Sequence, residues 1–319
     1  MSTNFLHSTM VTSSNKPLIN VAIVTYNHEK YIAKALESVL AQKGSFSLEI
    51  IVGEDSSTDS TYAILQRYKE TYPDIIKILK ENGNMGALKN MIRVLKACSG
   101  DYIAILDGDD YWTNESKLQK QLDLLSSDSS LAACQHETSR VDEQERLLQS
   151  KLWDETIPAT VTQKDLFKSE NLSQTSTWLF RRSCIDITPT FLEQFPYDRV
   201  LAFYIAGYGN WGSIPEVMSA YRIHNTGIFS KQSEERKTQQ VIEIYEAIWS
   251  YTPYRVLYKT EINERLRYLY KQQALGLLTK KALIGYCSGI MKAMYHTPKI
   301  KDKLFLVYHS LNQLFKHND

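Results

Sequence analysis

The sequence predicts an α/β fold in which an open, largely parallel sheet is flanked by helices. Short apolar segments alternate with segments of helical periodicity through the first 110 residues. The apolar segments are hydrophobic enough to be covered on both faces, which is typical of parallel strands between two layers of helices. A polar cluster follows each of them, and sheets of this kind bind ligands beyond the carboxyl ends of their strands.

Four strands are predicted in this region. They cover residues 18–24 (LINVAIV), 48–52 (LEIIV), 74–79 (DIIKIL) and 102–106 (YIAIL). The polar clusters that follow them are, in the same order, TYNHE, GEDSSTD, ENGN and DGDD. Because parallel strands end at the same edge of a sheet, we expect the four clusters to converge there and to form a ligand site.

Three amphipathic helices alternate with these strands. Asn27 is the expected N-cap of the first helix, because an asparagine side chain accepts a hydrogen bond from the free backbone N–H groups there. Each helix carries apolar residues at the spacing of one helical face. The residues of the three stripes are Tyr31, Ile32, Ala35, Leu36, Val39 and Leu40, then Ile64, Leu65 and Tyr68, then Leu88, Met91, Ile92 and Leu95.

The pattern changes to long helical segments from about residue 231. From residue 271 onward, eight lysines and two aspartates are interleaved with the apolar segments LGLL, ALIGY and LFLVY. We predict a disordered tail over residues 1–16, a sheet domain over residues 17–230 and a helical extension over residues 231–319. The extension forms either an accessory layer or dimer contact, or a peripheral membrane surface that places lysines and apolar side chains at anionic headgroups.

The composition argues against several classes of protein. The net charge of +1 argues against a nucleic-acid binder, which usually carries a strong basic excess. Residues 1–16 lack the apolar core of a signal peptide, and no apolar run approaches the ~20 residues of a transmembrane helix. We therefore expect a cytoplasmic protein, with the inner face of the cell membrane as the place of any peripheral contact.

The four cysteines form no CxxC motif and no Cys/His cluster, so we expect reduced core thiols. They are Cys98, Cys134, Cys184 and Cys287.

Three carboxylates, Asp107, Asp109 and Asp110, follow the fourth strand within four positions. Like charges this close repel one another and are costly to desolvate, so we expect a positive partner. A tight turn at Gly108 would let two of the carboxylates reach one point, and Mg²⁺ binds through one or two carboxylates together with substrate phosphates. The alternative is a solvated acidic turn or helix cap. The position at a strand end, beside three other polar strand ends, favours the metal site.

These segments, in this order and spacing, resemble the family 2 glycosyltransferases with the GT-A (Rossmann-like) fold. The resemblance rests on VAIVTYNHEKYIAKALESVLAQ, EIIVGEDSSTDST, ENGNMGALKN and GDYIAILDGDDYW, and it resumes at WLFRRS and PEVMSAYRIHNTGIFS. It covers residues 17–125 densely and the two later segments up to residue 230. It implies a mixed, mostly parallel sheet and the transfer of a sugar, usually with inversion, from a nucleotide-sugar donor to an acceptor.

The resemblance implies nucleoside contacts at the ends of the first two strands. The end of the first strand would cradle the nucleoside through Thr25, Tyr26, Asn27 and Glu29. In the family, a carboxylate after the second strand contacts the base or the ribose, and Asp55 takes this position. A carboxylate accepts hydrogen bonds from a uracil N–H or a ribose hydroxyl, which agrees with a UDP-sugar as donor.

The segment after the second strand departs from the usual family pattern. Gly53 and Glu54 stand where an apolar residue and an Asp are more usual, and Ser56 replaces a common Gly. The base preference is therefore less firmly predicted than the fold. Asp59 is predicted to cap or begin the following helix, which is a structural role.

The resemblance also implies the contacts of the diphosphate and of a metal ion. Lys89 stands where many relatives have Arg and would meet a phosphate as a point charge, the alternative being a solvated helix lysine. Asp107 would bridge ribose and metal, and Asp109 would be the principal ligand of Mn²⁺ or Mg²⁺. His224, in YRIH, would ligate the metal or donate to a phosphate oxygen, the alternative being a structural histidine.

Asp198 is the catalytic base that the resemblance implies, at the start of a predicted helix before YRIH. Such a base takes the proton of the acceptor hydroxyl during in-line attack on the anomeric carbon. Its neighbours Tyr197 and Arg199 differ from the usual flanking residues. The alternative is an ordinary helix-start aspartate or a simple ion pair with Arg199.

The sequence thus favours an inverting, metal-dependent glycosyltransferase that moves a hexosyl or hexosaminyl group. The acceptor would be a hydroxyl of a saccharide or of a lipid-linked molecule, in the synthesis of a bacterial surface polysaccharide. A nucleotide-sugar-binding protein without transfer activity is the alternative.

A nucleotidyltransferase is disfavoured because TYNHEKY lacks a Gly-rich, basic triphosphate loop. GYGNWG, at residues 207–212, fits GxGxxG but does not join a strand to a helix, as a dinucleotide fingerprint must.

Overall fold

The computed structural model describes most of the chain. The described residues are 16–152, 158–167, 174–185, 198–225, 232–279 and 283–297, together with residues 303 and 306. The predicted disordered tail lies outside these ranges except for Lys16, and so does most of the chain beyond residue 297.

Ten strands of the described chain form one mixed sheet. They are β1 (Leu18–Thr25), β2 (Ser47–Glu54), β3 (Ile76–Lys80), β4 (Tyr102–Asp107), β5 (Tyr111–Trp112), β6 (Leu131–Val141), β7 (Leu147–Gln149), β8 (Thr160–Val161), β9 (Leu179–Arg181) and β10 (Asn210–Arg222). The strand order is β3-β2-β1-β4-β9-β6-β10-β5, with β7 beside β6 and β8 beside β10. The long pairings β1–β2, β1–β4, β2–β3 and β6–β10 are parallel. The short strands β5, β7, β8 and β9 are antiparallel to their neighbours.

The four strands predicted from the sequence are confirmed. In β1, Thr25 lies opposite Glu54 of β2, and Glu54 lies opposite Lys80 of β3. On the other side of β1, Val24 lies opposite Asp107 of β4. The register therefore brings the four polar clusters to one edge of the sheet, as expected for parallel strands.

The helices of the described chain follow the predicted alternation. They are α1 (Ile32–Leu40), α2 (Thr61–Thr71), α3 (Ala87–Ala97), α4 (Lys117–Ser127), α5 (Gln163–Leu166), α6 (Asp198–Ala206), α7 (Glu234–Ser250), α8 (Thr252–Leu257), α9 (Lys259–Thr279) and α10 (Leu283–Tyr295). The three apolar stripes predicted for the first three helices lie on or directly before α1, α2 and α3.

Asn27 is not the N-cap of α1, and this prediction was wrong. The helix begins five residues later, and Tyr31 stands at its N-cap position. Asn27 has a positive φ of 55°, in the left-handed region that asparagine tolerates. Its side-chain oxygen accepts a hydrogen bond from the backbone N–H of Thr58 at 2.8 Å instead. The side chain thus joins the loops after β1 and β2, because the loops lie side by side at the sheet edge.

The sheet is buried on both faces. On one face, α1, α2 and α4 contribute Leu36, Leu65 and Leu118 to a core with alternate residues of β1 and β2. On the other face, α3 and α6 contribute Val94 and Phe203 to a second core. Successive side chains of a central strand point to opposite faces, and both faces are covered by helices. The sequences of these strands are therefore nearly continuous apolar runs.

The described chain beyond residue 233 is helical, as predicted. Tyr245 of α7 and Ile262 and Leu266 of α9 belong to the same apolar core as the sheet residues beneath α3 and α6. The division of the chain at residue 230 stays a prediction. No helix of the described chain combines the length and the apolar character needed to cross a bilayer.

Three cysteines occupy the sites expected of core thiols. Cys98, Cys134 and Cys184 are buried and free. Burial raises the pKa of the Cys98 and Cys134 thiols to about 12, which keeps them unreactive at neutral pH. The side chain of Cys287 lies outside the described part of the structure.

Candidate active site

The carboxylate cluster forms a tight loop between β4 and β5. The backbone N–H of Asp110 donates to the carbonyl of Asp107 at 3.0 Å, and that of Gly108 donates to the carbonyl of Val24 at 2.9 Å. A Cβ atom at Gly108 would lie 2.8 Å from Thr25 side-chain atoms and 2.9 Å from Nδ1 of His28. Glycine is therefore required at the turn, because the loop is pressed against the end of β1.

Two imidazoles flank the carboxylate of Asp109. Nε2 of His224 lies 2.9 Å from Oδ2 of Asp109, and Nε2 of His28 lies 3.7 Å from the same oxygen. The His224 side chain is buried and its ring packs 4.8 Å from that of Tyr31. His224 thus reaches the residue predicted to be the principal metal ligand. Its metal or phosphate contact stays a prediction.

His28 was not among the site residues inferred from the sequence. It lies in TYNHE, between Asn27 and Glu29, both of which were named. Its position in a strand-end cluster was the available signal. The family resemblance implies no role for this position.

The three aspartates differ in their affinity for protons. Burial and the charge of Asp109 raise the pKa of Asp107 to about 7, although Thr175 donates a hydrogen bond of 2.9 Å to its Oδ2. Burial and the charges of Asp109 and Asp107 hold the pKa of Asp110 well above its usual value. Burial also acts to raise the pKa of Asp109, but the His224 hydrogen bond and the two imidazoles bring it below its usual value.

Asp110 is held by the end of β10. Its Oδ1 accepts the backbone N–H of Arg222 at 2.9 Å, and its side chain is buried. This contact ties the loop to β10. The geometry therefore favours a structural role for Asp110, for which the sequence made no firm assignment.

The donor set fits a hard divalent cation that shares its coordination with a ligand. Three buried polar atoms of the described residues lack a hydrogen-bond partner around the loop, namely Thr25 Oγ1, His28 Nδ1 and Asp110 Oδ2. Within the described ranges, no three His, Cys, Asp or Glu side chains form a metal centre by themselves. Carboxylate oxygens with one imidazole suit Mn²⁺ or Mg²⁺ when substrate phosphates complete the shell.

The loops after β1 and β2 bind each other through the predicted nucleoside residues. The backbone N–H of Glu29 donates to Asp59 at 3.1 Å, and the Glu29 carboxylate accepts the N–H of Ser60 at 3.0 Å. Asp59 also accepts the N–H of Thr61, the first residue of α2, at 2.9 Å. It neither caps nor begins the helix, because Ser60 stands at the N-cap position, but its hydrogen bonds are structural. Tyr26 is 40% exposed at this edge. The nucleoside contacts of Thr25, Tyr26, Asn27 and Glu29 stay predictions.

Asp55 holds the turn before α3. Its two carboxylate oxygens accept the backbone N–H groups of Met85 at 2.8 Å and of Gly86 at 2.9 Å. Each oxygen keeps a second lone pair for a ligand. The base or ribose contact of Asp55 therefore stays a prediction. Lys89, near the start of the same helix, is exposed, and its phosphate contact likewise stays a prediction.

The departures from the family pattern after β2 have local structural reasons. A Cβ atom at Gly53 would lie 2.3 Å from Oδ1 of Asn90, whose Nδ2 donates to the Gly53 carbonyl at 2.7 Å. The buried Glu54 carboxylate accepts the N–H groups of Ser57 at 2.6 Å and of Ser56 at 3.3 Å. Ser56 has a φ of 60°. The Glu54 carboxylate thus stabilises a turn in which Ser56 has a left-handed backbone conformation. A glycine at position 56 would adopt this conformation without strain.

Asp198 begins α6, as predicted, and lies close enough to Asp107 for its charge to raise the pKa of that carboxyl. Its side chain keeps contact with solvent, yet the protein around it is dense enough for desolvation to raise its own pKa. The backbone N–H of Arg199 donates to Oδ1 of Asp198 at 2.6 Å, while the Arg199 guanidinium donates to the carbonyl of Leu166 at 2.6 Å. The catalytic role of Asp198 stays a prediction.

The fold is that of the GT-A glycosyltransferases. The chain belongs to this class: the model of glycosyl transferase family 2 matches residues 20–187. The resemblance seen in the sequence to this family is therefore confirmed.

Curated relatives agree with this assignment. An uncharacterized protein of Mycobacterium bovis is 31% identical over 225 residues, which cover 69% of this chain and 62% of that protein. The putative teichuronic acid biosynthesis glycosyltransferase TuaG of Bacillus subtilis is 38% identical over 111 residues, covering 34% of this chain and 42% of TuaG.

Solved structures agree on the fold. The S. aureus TarS 1–349 structure in complex with UDP has a TM-score of 0.64 at 20% identity, covering 94% of this chain and 88% of that one. The mannosyltransferase PcManGT from Pyrobaculum calidifontis, in complex with GDP-Man and Mn²⁺, has a TM-score of 0.60 at 18% identity, covering 95% and 82%.

Proposed function

We propose that this member of glycosyl transferase family 2 is an inverting, metal-dependent glycosyltransferase that uses a nucleoside diphosphate sugar. The observation that carries the proposal is the end of β4, where the Asp109 carboxylate lies between the imidazoles of His28 and His224. Asp107, Asp109 and His224 would hold Mn²⁺ or Mg²⁺. A divalent cation bound there offsets negative charge on the departing diphosphate.

Asp198 would act as the general base. It accepts the proton of the acceptor hydroxyl while that oxygen forms a bond to the anomeric carbon. The bond from the anomeric carbon to the diphosphate oxygen breaks, and its electron pair leaves with the diphosphate. Desolvation by the surrounding protein raises the pKa of Asp198, which makes it a stronger base than an aspartate at its ordinary pKa. Attack opposite the leaving group inverts the anomeric configuration.

A UDP-sugar is the proposed donor. A neighbouring structure contains UDP and another contains GDP-Man, so the fold alone accepts either base. Asp55, at the end of β2, keeps lone pairs for a uracil N–H or a ribose hydroxyl. The proposed acceptor is a hydroxyl of a saccharide or lipid-linked molecule in bacterial surface polysaccharide synthesis, for which the similarity to TuaG is support.

The test uses the full chain and a panel of nucleotide sugars, screened by thermal shift with Mn²⁺. We expect UDP-sugars to raise Tm, and their hydrolysis or transfer to stop when EDTA is added. Asp109→Ala should remove the Mn²⁺-dependent gain in Tm. Asp198→Asn should lower kcat by roughly 10²- to 10⁴-fold, the usual contribution of a general base, while donor binding is kept. Asp123→Asn, at an exposed carboxylate on α4, is the control.

Two results would contradict the proposal. Activity that survives both EDTA and Asp109→Ala excludes metal dependence at this loop. Donor binding without turnover for any acceptor, unchanged by Asp198→Asn, would indicate a chain that binds nucleotide sugars without transferring them.

We also propose that the C-terminal helices rest on an anionic bilayer. Apolar side chains are exposed on α8 and α10 beside the exposed lysines Lys259 and Lys292. Apolar groups with adjacent cations suit the headgroup region of an anionic membrane. The exposed fractions are 72% for Val256, 68% for Leu257, 65% for Met291 and 73% for Tyr295.

A further inference from the structure

Arg222 contacts the loop that carries Asp107, Asp109 and Asp110. It is the last residue of β10, two residues before His224, and its side chain is buried. Its Nε donates to the backbone carbonyl of Asp109 at 3.0 Å. Its own backbone N–H donates to Oδ1 of Asp110 at 2.9 Å. One residue of β10 therefore binds two consecutive residues of the loop, one through its side chain and one through its backbone.

The other end of the guanidinium is held by the turn between β6 and β7. Nη1 lies 3.4 Å from the carbonyl of Asp142 and 3.3 Å from that of Glu143, and Nη2 donates to the Glu145 carboxylate at 3.1 Å. Glu145 has a φ of 64°. The turn holds a non-glycine residue in the left-handed region, a strained conformation that persists only where surrounding contacts fix it.

Aromatic rings close the remaining sides. The guanidinium carbon lies 4.8 Å from the ring centroid of Tyr31 and 5.3 Å from that of Tyr111. Lys34 of α1 also binds this group, through the Glu145 carboxylate and over the Tyr111 ring. The guanidinium thus links β10, the β6–β7 turn, the start of α1 and the carboxylate loop.

We propose that Arg222 is a positioning residue that fixes the main chain at Asp109, so that β10 presents the Asp109 carboxylate to the donor site. The inference rests on the proposed function of that site. His224 holds the carboxylate of Asp109 and Arg222 holds its carbonyl, so two residues at and just beyond the end of β10 contact both ends of Asp109. Lysine does not replace this role, because a planar guanidinium reaches acceptors in several fixed directions and an ammonium is a compact point charge.

Arg181 provides a matched control. Its guanidinium also binds backbone carbonyls, those of Leu131 at 2.9 Å and of Leu125, together with the Tyr102 hydroxyl at 3.2 Å. Arg181 pairs with Tyr102, the first residue of β4, whereas Asp107 is the last. Arg181→Lys therefore removes a comparable set of hydrogen bonds near the start of β4, at the opposite end of that strand from Asp107.

The experiment compares Arg222→Lys, Arg181→Lys and the unchanged full chain. Hydrogen exchange of the segment 107–112 is measured without metal or nucleotide, and the affinity for Mn²⁺ is measured by electron paramagnetic resonance with UDP present. We expect Arg222→Lys to speed exchange in this segment and to weaken Mn²⁺ binding at least tenfold. Arg181→Lys should lower Tm similarly and leave both quantities within twofold of the unchanged protein.

Glu145→Gln is a second variant, at an exposed residue. It removes one anchor of the guanidinium and should speed exchange in the segment 107–112 by a smaller factor than Arg222→Lys. Exchange at the original rate in both variants overturns the proposal, and so does a loss of Mn²⁺ affinity that is equal for Arg222→Lys and Arg181→Lys. If the unchanged protein binds no Mn²⁺, the proposed metal dependence fails, while the exchange rates still decide the role of Arg222.

Discussion

Lys117 illustrates at the scale of one residue how burial changes chemistry. It is the first residue of α4, its side chain is fully buried, and Nζ has no hydrogen-bond partner among the described residues. Nζ lies 3.8 Å from the ring centroid of Trp112, which directly follows the carboxylate loop. Burial lowers the pKa of Lys117 from 10.5 to about 7. The lysine therefore gives up much of its charge on folding.

We predict that Lys117→Met stabilises the protein at pH 7. Between pH 7 and 10.5 the unfolded chain binds a proton that the folded chain does not, so the free energy of unfolding of the original protein rises with pH. The gain from the variant should be about 4 kcal/mol at pH 7, because each tenfold loss of proton affinity on folding costs about 1.4 kcal/mol and the pKa falls from 10.5 to about 7. The gain should shrink towards pH 10, and urea denaturation at several pH values measures it.

The control for this prediction is Lys120→Met, one turn further along α4. Lys120 forms a partly exposed ion pair with Glu216, so its loss should change stability by less than about 1 kcal/mol. A stabilisation by Lys117→Met that is the same at pH 7 and pH 10 would show that Lys117 keeps its charge on folding.

At the scale of elements, the contact between β2 and α3 sets the shape of the site edge. Gly53 lies under α3, and α3 follows the turn that Asp55 holds. The sequence predicts both elements from their local patterns. It does not predict that the helix approaches the strand this closely, because the distance depends on Asn90, which bonds a carbonyl 37 residues away.

Gly53→Ala should destabilise the protein by about 1–3 kcal/mol, the usual cost of an overpacked core. The new methyl group would lie 2.3 Å from Oδ1 of Asn90 and 2.5 Å from Cγ2 of Val94, so α3 must shift. Gly83→Ala is the matched control, since nothing lies within 4 Å of a Cβ atom there. Equal urea midpoints for the two variants would contradict the tight contact.

β6 illustrates an element that local pattern does not reveal. Gln135, His136, Glu137 and Thr138 are all buried, although a polar run normally indicates a loop. Thr138 Oγ1 donates to the carbonyl of Ser219 on β10 at 3.0 Å, across 81 residues. Such a strand is stable only because a distant strand satisfies its polar groups, and no local period in the sequence reports that partner.

At the scale of the whole molecule, the C-terminal helices share the core of the sheet and leave apolar side chains exposed on α8 and α10. The predicted membrane contact therefore depends on surface residues and can be tested without truncating the chain.

A Leu257→Glu, Met291→Glu double variant should reduce cosedimentation with phosphatidylglycerol vesicles about tenfold or more, because each side chain would bury apolar area in the headgroup region. Leu147→Glu, at a residue 63% exposed on β7, is the control and should bind as the original chain does. Equal binding by all three proteins removes the membrane proposal. A shift from dimer to monomer in analytical ultracentrifugation would identify these residues as a contact between two copies.

The sequence by itself determined the strands β1 to β4, the helices between them and the acidic cluster at the sheet edge. These features depend on hydrophobic period and strand-end position, which are local. Only the tertiary structure decided that His28 and His224 flank Asp109, that Arg222 holds its carbonyl, and that Lys117 is buried. His224 and Asp109 are 115 residues apart, and such contacts arise from the pairing of β10 with β5, the strand that directly follows the carboxylate loop. The physical reason is that the burial of a side chain and its hydrogen-bond partners depend on how distant segments pack together. Hydrophobic periodicity, in contrast, is present in the local sequence.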